Sequence, residues 1–580
     1  MPKHPVLVEH DAEAKMTDGT VLRATVYRPA RDGEVFPVLL TRTPYGRDLA
    51  VNSAYFNPLT VAAAGYIVVM QDCRGRFGSD GVFDPSVHEA SDGADTVAWA
   101  AGLPGSDGRV GMWGRSYFAE TQWRAAASAP APLKALALGV SAGGSADDGG
   151  LYRGGAHEFG SRFTWGHTAI TPHALAREFA DAPDRRHAAL RDWQALDQEV
   201  VAGDVFDTLP IGALAPRLGT FMNTHILGSA GEGPGSPLSE LWNSASAHPV
   251  DAATLHIGGW FDIFAPATLA QYRMQLAHSR TRSLPPPRLV IGPWSHSDFS
   301  GDFPDLSLGI AASSGVMGGH GDLTAMHVAW FDTVLKGDDT ALRRIPPVLL
   351  YFLGENRWRG FEELPAPTAH RTWYLADGGR LLDHPGGDSR AAYDYDPLDP
   401  VPTVGGATMI HGVRSGPADQ RRVEARDDVL TFTSEPLTAP LTLFGEVRAT
   451  FHASSSAPDT DFVIRLCKVS PDGVSIGLND GIVRASWRDS YAAGTHRPGH
   501  RSTPLEPGRV YEFTVSLWST ACTLAPGERL RVQVTSSCHP RWDRNLNTGL
   551  SAYDSAETVV AHQMIHMGEE HPSRLVIGTL

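Results

Sequence analysis

Residues 110–120 constrain the fold of this chain more than any other stretch. An apolar, strand-like approach ending at Trp113 runs through Gly114-Arg115-Ser116 into a helix-forming segment. A strand that becomes a helix over Gly-x-Ser belongs in a sheet whose strands alternate with helices. It holds the serine on a strained corner at the carboxyl edge of that sheet, with the hydroxyl projecting outward. The next residue's backbone N–H then faces the same reacting atom. A plain loop serine satisfies Gly-x-Ser equally well, so the surrounding pattern must decide.

That pattern is α/β. Residues 21–27 and 35–41 read as strands, with Asp18-Gly19 as a hairpin-type turn before the first. Residues 61–65 read as a short helix closed by glycine, followed by the buried-strand run 66–70. A helix over 92–103, a strand over 110–113, a helix from Ser116 to about Ser128 stopped by Pro130 and Pro132, and a strand over 133–140 complete a doubly wound order. Between about Ser145 and His248 the strand signal vanishes. Trp165, 173–179 and 185–201 there predict helices, an insertion over the edge where loops carry specificity. Strands return at 254–257 and 288–291. Beyond about Pro365, short alternating runs at 430–433, 441–451, 461–469 and 530–535 lie between Gly, Pro and Asp turns and predict an all-β sandwich.

At 580 residues the chain is too long for one hydrophobic core, and its 42% hydrophobic and 20% charged residues are those of globular protein. No apolar run approaches the roughly 18 residues of a membrane span, and Met1-Pro2-Lys3-His4-Pro5 lacks the features of a signal peptide. A soluble, cytoplasmic protein is expected. The formal charge of −16 offers no electrostatic footprint for nucleic acid or an anionic membrane. Cys73, Cys467, Cys522 and Cys538 are too scattered for a disulfide framework and fit reduced thiols.

A serine hydroxyl needs a base to take its proton and a third group to orient that base. Gly258-Gly259-Trp260-Phe261-Asp262 follows one predicted strand, and Gly292-Pro293-Trp294-Ser295-His296 follows the next. Ser116, Asp262 and His296 thus each stand just past the carboxyl end of a strand, in the chain order Ser, Asp, His that such a sheet uses. Taken singly, Asp262 is a turn aspartate and His296 one of 24 histidines. Their joint placement assigns Ser116 as nucleophile, His296 as general base and then acid, and Asp262 as the orienting carboxylate.

With these residues in view, the chain resembles the cocaine esterase and X-Pro dipeptidyl-peptidase (CocE/NonD) superfamily of α/β-hydrolases. The matching blocks are Arg42-Thr43-Pro44-Tyr45-Gly46, the Asp72-Cys73-Arg74-Gly75-Arg76-Phe77-Gly78-Ser79-Asp80-Gly81 run, residues 111–123, the two strand-end motifs, and Gly354-Glu355-Asn356-Arg357-Trp358. The resemblance implies an α/β-hydrolase sheet in two parts (1–144 and 249–364), a helical cap (145–248) and a C-terminal jelly roll (365–580). By position, Tyr45 matches the family's oxyanion-hole tyrosine, acting beside the backbone N–H of Tyr117. A buried tyrosine tying a loop to the sheet is the plain alternative. Trp165 and Phe264 match residues that line the acyl pocket, although aromatics there also serve as cap-to-body core. The 72–81 block reads as structural. Ala119 stands where relatives commonly carry glycine, a single methyl that the elbow should accommodate.

The expected activity is hydrolysis of carboxylic esters or acyl amides through an acyl-enzyme, without cofactor or metal. An X-Pro dipeptidyl-peptidase or α-amino acid ester hydrolase needs a carboxylate cluster for the substrate ammonium, for which Asp147, Asp148 and Glu158 are candidates. An acyltransferase using the same triad is the third reading. His562 and His566, spaced i, i+4 with Glu569 and His571 behind, suit paired metal ligands on a helix but match the family's closing strands better. The expected partner is a small-molecule ester, amide or peptide, and a homo-oligomer stays open.

Overall fold

The computed structural model describes residues 4–31, 33–50, 56–142, 151–228, 234, 248–282, 284–492 and 502–580. Ten strands form the first sheet: β1 (Val6–Lys15), β2 (Val21–Pro29), β3 (Phe36–Thr43), β4 (Ile67–Asp72), β5 (Ser106–Arg115), β6 (Leu133–Gly139), β9 (Ala253–Phe261), β10 (Arg288–Ser295), β13 (Val348–Phe352) and β14 (Arg357–Phe361). Their spatial order is β1-β2-β4-β3-β5-β6-β9-β10-β13-β14. From β4 to β13 neighbours run parallel, and β1, β2 and β14 add antiparallel edges. A parallel sheet covered on both faces needs strands apolar on both sides, and β4 and β9 are buried at every residue. Helices Glu89–Ala101 and Tyr117–Ala127 cover one face through Val97, Ala100, Trp123 and Ala125. Helices Pro58–Ala63 and Leu323–Phe331 cover the other through Val61, Ala62, Met326, Trp330 and Phe331.

The strand order reverses at β3, with β4 on one side and β5 on the other, so the chain leaves these neighbours in opposite directions and opens a crevice at their carboxyl ends. Tyr45 follows β3 and Ser116 follows β5, on the two sides of that crevice.

The segment between β6 and β9 holds the short hairpin β7 (Tyr152–Arg153) and β8 (Ala156–His157), then helix Phe159–Thr164, a π-helical turn Trp165–Ile170, and helices Thr171–Glu178 and Pro183–Ala202. Its own core, built on Phe159, Phe163, Leu196, Val200, Phe206 and Met222, also takes in Tyr117 beside Ser116 and Ile410 and Leu546 from the C-terminal part. The insert therefore packs across the carboxyl edge of the sheet. Two-residue strands β11 (Asp302–Phe303) and β12 (Leu306–Ser307) form a small ribbon after β10.

Eleven strands make the second sheet system: β15 (Ala369–Ala376), β16 (Arg380–Leu382), β17 (Ser389–Tyr395), β18 (Leu430–Ser434), β19 (Leu441–Ser455), β20 (Asp461–Val469), β21 (Ser475–Arg484), β22 (Tyr511–Leu524), β23 (Arg529–Thr535), β24 (Ala561–Met567) and β25 (Arg574–Thr579). Pairing is antiparallel except between β16 and β18. The α/β sheet, helical insert and all-β C-terminal part expected from the sequence are all present. Phe444, Phe451, Phe462 and Phe513 share one continuous core with Trp260, Leu350 and Phe352 of the first sheet.

Two local expectations change. The helix expected at 61–65 spans Pro58–Ala63, because the Asn57 side chain caps the Thr60 N–H at 3.1 Å and Pro58 suits the first helical position; Gly65 follows in a left-handed turn at φ 88°. His562 and His566 lie on strand β24 rather than a helix. His562 Nδ1 faces Asp394 Oδ1 at 2.6 Å and His566 Nε2 faces Ser454 Oγ at 3.0 Å, so each is engaged across the sheet and not with the other.

Candidate active site

Ser116 sits directly between β5 and helix Tyr117–Ala127 with φ 58° and ψ −125°. For a non-glycine residue this conformation costs on the order of 1–3 kcal/mol, and it persists because both neighbours are fixed. On one side the Ser116 N–H donates to the Gly139 carbonyl on β6 at 2.8 Å, and on the other the helix starts at once. Gly114 adopts φ 137°, and a Cβ there would stand 2.4 Å from Phe118 Cβ, so strand and helix approach too closely for a side chain. Ala119 is fully buried with Val38, Met112 and Leu136, and the elbow accommodates its methyl.

Behind the elbow lies a buried polar network. The Tyr117 phenol accepts from the Ser86 N–H and donates to Glu89 Oε1, both at 3.1 Å. Glu89 pairs with Arg42 at 2.7 Å, and Arg42 also donates to Gln71 at 3.0 Å. The Asp72–Gly81 block continues this framework: Arg74 grips Asp92 at 2.6 Å, while Arg76 donates to the Pro44 carbonyl at 2.6 Å and the Ile170 carbonyl at 3.2 Å. Arg76 thereby joins the loop carrying Tyr45 to the helical insert.

Asp262 follows β9 and His296 follows β10, on adjacent parallel strands. A Cβ on Gly259 would meet the Trp294 carbonyl oxygen at 2.2 Å, so glycine is needed for the two strand ends to converge. His296 Nδ1 lies 2.7 Å from Asp262 Oδ1, and His296 Nε2 lies 2.9 Å from Ser116 Oγ. With the carboxylate accepting, Nδ1 carries the proton and Nε2 is left as the acceptor for the serine hydroxyl. Asp262 is fully buried and Phe264 meets the imidazole edge-on at 5.1 Å between ring centres. The other carboxylate oxygen, Asp262 Oδ2, has no hydrogen-bond partner among the described residues.

A pocket opens over Ser116 Oγ, lined by Tyr45, Trp165, Phe264 and His296, with Met409 reaching in from the C-terminal part. Ser116, Asp262, His296, Tyr45, Tyr117, Trp165 and Phe264 thus lie together. Tyr45 accepts a hydrogen bond from the Trp165 indole at 3.0 Å, which leaves its hydroxyl proton to be donated elsewhere. Burial pushes the Tyr45 phenol up to about 12, against the opposing effects of Trp165 and the Ser116 hydroxyl, so it remains a neutral donor. The Tyr117 N–H opens the helix, where backbone donors have no acceptor within the helix itself.

Sequence reasoning missed the ionic character of the pocket wall. Arg153, Glu158, Arg162 and Glu120 line it beside the aromatics. Glu158 Oε1 lies 2.9 Å from Arg153 Nε and accepts from the Trp542 indole at 3.0 Å. Glu120 pairs with Arg124 at 2.5 Å and accepts from the Ser86 hydroxyl at 3.2 Å. Burial lowers the Arg162 guanidinium to about 10. Of the acidic residues named from sequence, Glu158 is a buried wall residue, whereas Asp147 and Asp148 lie outside the described residues. No periodicity marks Arg153, on the two-residue strand β7, or Arg162, on a six-residue helix, since both elements are too short to show one.

Residues 18–298 match the family model for the X-Pro dipeptidyl-peptidase (S15 family), and residues 340–576 match that for the X-Pro dipeptidyl-peptidase C-terminal non-catalytic domain. The chain is 36% identical to the cocaine esterase of Rhodococcus sp. (strain MB1 Bresler) over 97% of its own length and 96% of that protein's. In structure it is similar to an aminopeptidase from a marine sediment Thaumarchaeota archaeon, with TM-score 0.77, 23% identity, and 99% and 97% of the two chains covered. It is also similar to an α-amino acid ester hydrolase, with TM-score 0.72, 23% identity, and coverage of 100% and 97%. At these identities the structural likeness speaks for the fold, an α/β-hydrolase sheet joined to a β domain. Among the described residues no helix is long and apolar enough to cross a membrane. The chain belongs to the X-Pro dipeptidyl-peptidase (S15) and cocaine esterase family of serine hydrolases.

Proposed function

We propose that the protein hydrolyses carboxylic esters and acyl amides through an acyl-enzyme on Ser116. The observation that carries this reading is the unbroken chain from Asp262 Oδ1 through His296 to Ser116 Oγ, at 2.7 and 2.9 Å, beneath a pocket that also holds the Tyr45 phenol. As Ser116 Oγ attacks the substrate carbonyl carbon, its proton passes to His296 Nε2. The imidazolium so formed is stabilised by Asp262. The carbonyl oxygen, now an alkoxide, takes hydrogen bonds from the Tyr45 hydroxyl and the Tyr117 N–H, which match charge that develops only in the transition state. Collapse expels the alcohol or amine with the proton from His296. Water then repeats the sequence on the acyl-enzyme, losing its proton to His296 and releasing the carboxylic acid.

The acyl group lies between Trp165 and Phe264. Its burial there supplies binding at roughly 25 cal/mol per Å² of apolar surface removed from water. The C-terminal part closes this pocket through Met409, whose backbone N–H donates to Ser161 of the insert at 3.1 Å. We place the cap at residues 145–248, between two hydrolase segments at 1–144 and 249–364, with a jelly roll at 365–580. The cytoplasm is the compartment we propose, in keeping with four free, buried cysteines.

Profiling the purified protein on p-nitrophenyl esters of graded acyl length, beside Gly-Pro and acyl-amide substrates, tests the substrate class. Ester turnover exceeding Gly-Pro cleavage is expected. Gly-Pro cleavage in excess of every ester replaces the reading with an X-Pro peptidase. Transfer to an added amine without hydrolysis replaces it with an acyltransferase.

A further inference from the structure

The C-terminal sheet system sends one residue toward the triad from behind. Strand β22 pairs with β19 in register from Leu524 to Ser519 and again from Ser516 to Tyr511, but one residue of β19, Val447, stands between Glu446 and Arg448 where two of β22, Leu517 and Trp518, stand between Ser516 and Ser519. The extra residue makes a β-bulge at 517–518, and Trp518 takes φ 66°. Bulges re-aim side chains, and a left-handed conformation on a bulky residue costs on the order of 1–3 kcal/mol, retained where the surroundings impose it.

What the bulge aims is the Trp518 indole. It is almost fully buried against Ala265, the first residue of the helix that follows Asp262, and against Ala407. Over the indole lies Arg153, its guanidinium carbon 3.7 Å from the ring centre. Arg153 Nη2 donates to the carbonyl of Ile263 at 3.1 Å, and its Nε lies 2.9 Å from Glu158. Ile263 is the residue after Asp262. The carboxylate itself uses one oxygen for His296, while Oδ2 has no hydrogen-bond partner among the described residues. Among the described residues the side chain is hydrogen-bonded at its imidazole end, and its position follows the backbone of the 262–265 turn.

We propose that Trp518 and Arg153 are positioning residues for the triad: the indole supports Arg153 and Ala265, and Arg153 fixes the Ile263 carbonyl, so that a domain described as non-catalytic in its family sets the place of Asp262. Arginine suits this task because its planar guanidinium offers a face to the indole, an in-plane donor to a carbonyl and a positive charge to a carboxylate at once; a lysine ammonium has no such face. The inference rests on the triad reading above, because it assigns these residues to the support of Asp262.

The test compares Trp518→Leu, Trp518→Phe and Arg153→Lys with the parent enzyme. For each, kcat and KM on a p-nitrophenyl ester, the second-order rate of fluorophosphonate labelling, and the melting temperature are measured. Trp518→Leu and Arg153→Lys should lose on the order of 10- to 100-fold in kcat, the scale on which remote misplacement of a reacting group acts. Labelling should slow by a like factor while KM changes little, because nucleophile activation is what has been disturbed. Trp518→Phe keeps a ring beneath the cation and should recover most of the rate.

If Trp518→Leu does not fold, Arg153→Lys bears the test alone, and a folded Arg153→Lys with parental kcat overturns the proposal. A raised KM with unchanged kcat and labelling rate also overturns it, making Arg153 a pocket wall. So does a lowered melting temperature with parental kinetics below it, which makes both residues structural. A parent enzyme that fluorophosphonate does not label at Ser116 refutes the triad reading itself, and is recognised before any variant is compared.

Discussion

Trp165 donates its indole N–H to the phenolic oxygen of Tyr45 across 3.0 Å, so a residue of the helical insert orients the side chain that faces Ser116. Tyr45→Phe removes a donor to the alkoxide and should cost on the order of 10²- to 10³-fold in kcat. Trp165→Phe leaves the donor in place but unoriented, so a smaller loss is expected. In the Tyr45→Phe background that loss should nearly vanish, because the two residues act as one unit. Steady-state kinetics of the four proteins check this, and fully additive losses would separate Trp165 from the oxyanion site. Since burial pushes the Tyr45 phenol up to about 12, above the ordinary tyrosine value of about 10, deprotonation of this group should produce no alkaline limb in kcat near pH 10.

Removing Ser116 or His296 as alanine variants should each lower kcat by on the order of 10⁴- to 10⁶-fold, and the double variant should be little worse than either. The cooperative hydrogen-bonded chain is the reason: without the base the hydroxyl is a poor nucleophile, and without the hydroxyl the base has no proton to take. Multiplying losses would show that the two residues act independently.

Substrate charge is the third expectation. Among the described residues two carboxylates line the pocket, but Glu158 is engaged by Arg153 and Trp542, and Glu120 by Arg124 and Ser86. A substrate ammonium must compete with these partners and lose its hydration, whereas a neutral acyl group gains burial between Trp165 and Phe264. Short neutral acyl esters should therefore exceed matched α-amino esters in kcat/KM. The opposite ranking, with a sharp loss on Asp147→Asn or Asp148→Asn, would move the protein to the amino-ester hydrolases.

Acid should destabilise the fold before it protonates most carboxylates. Burial lowers His157, His173 and His327 from the usual 6.5 to about 4, and His256 to about 3. The unfolded chain binds protons on these four groups from about pH 6.5 downward, while the folded chain resists until about pH 4. Stability contributed by the four is full above pH 6.5 and is lost as pH falls through that window. Asp461, raised by burial to about 6, acts with opposite sign, its contribution growing as pH falls below 6, and Asp72 and Asp459 are raised by burial too; against these three, burial also lowers His167, His225, His452, His539 and His566, which add to the four. The melting temperature should fall between pH 7 and pH 5; a flat or rising profile would contradict this balance.

Much of this architecture was legible because it rests on patterns with short periods. Buried strands such as β4 and β9 read as unbroken apolar runs, and Ser116, Asp262 and His296 each stand at a strand end. Glycines at 114 and 259 stand within those strand-end motifs, and the close approaches they permit appear only in the structure. The ionic wall was not legible, because Arg153 meets Glu158, Trp518 and Ile263 through contacts spanning up to several hundred residues, and no local spacing encodes them. Tyr45's partner was missed for the same reason: Trp165 read as an aromatic pocket residue, and its N–H donation depends on how the insert folds back over the crevice. The helix at Pro58–Ala63 began earlier than expected because its start is set by the Asn57 cap.

The most direct test of the account is to treat the protein with a fluorophosphonate and locate the adduct by mass spectrometry. A single adduct on Ser116, abolished in Ser116→Ala together with ester hydrolysis and strongly slowed in a folded His296→Ala, is the expected result. An adduct on another serine, or a Ser116→Ala protein that still hydrolyses esters at the parental rate, would contradict it.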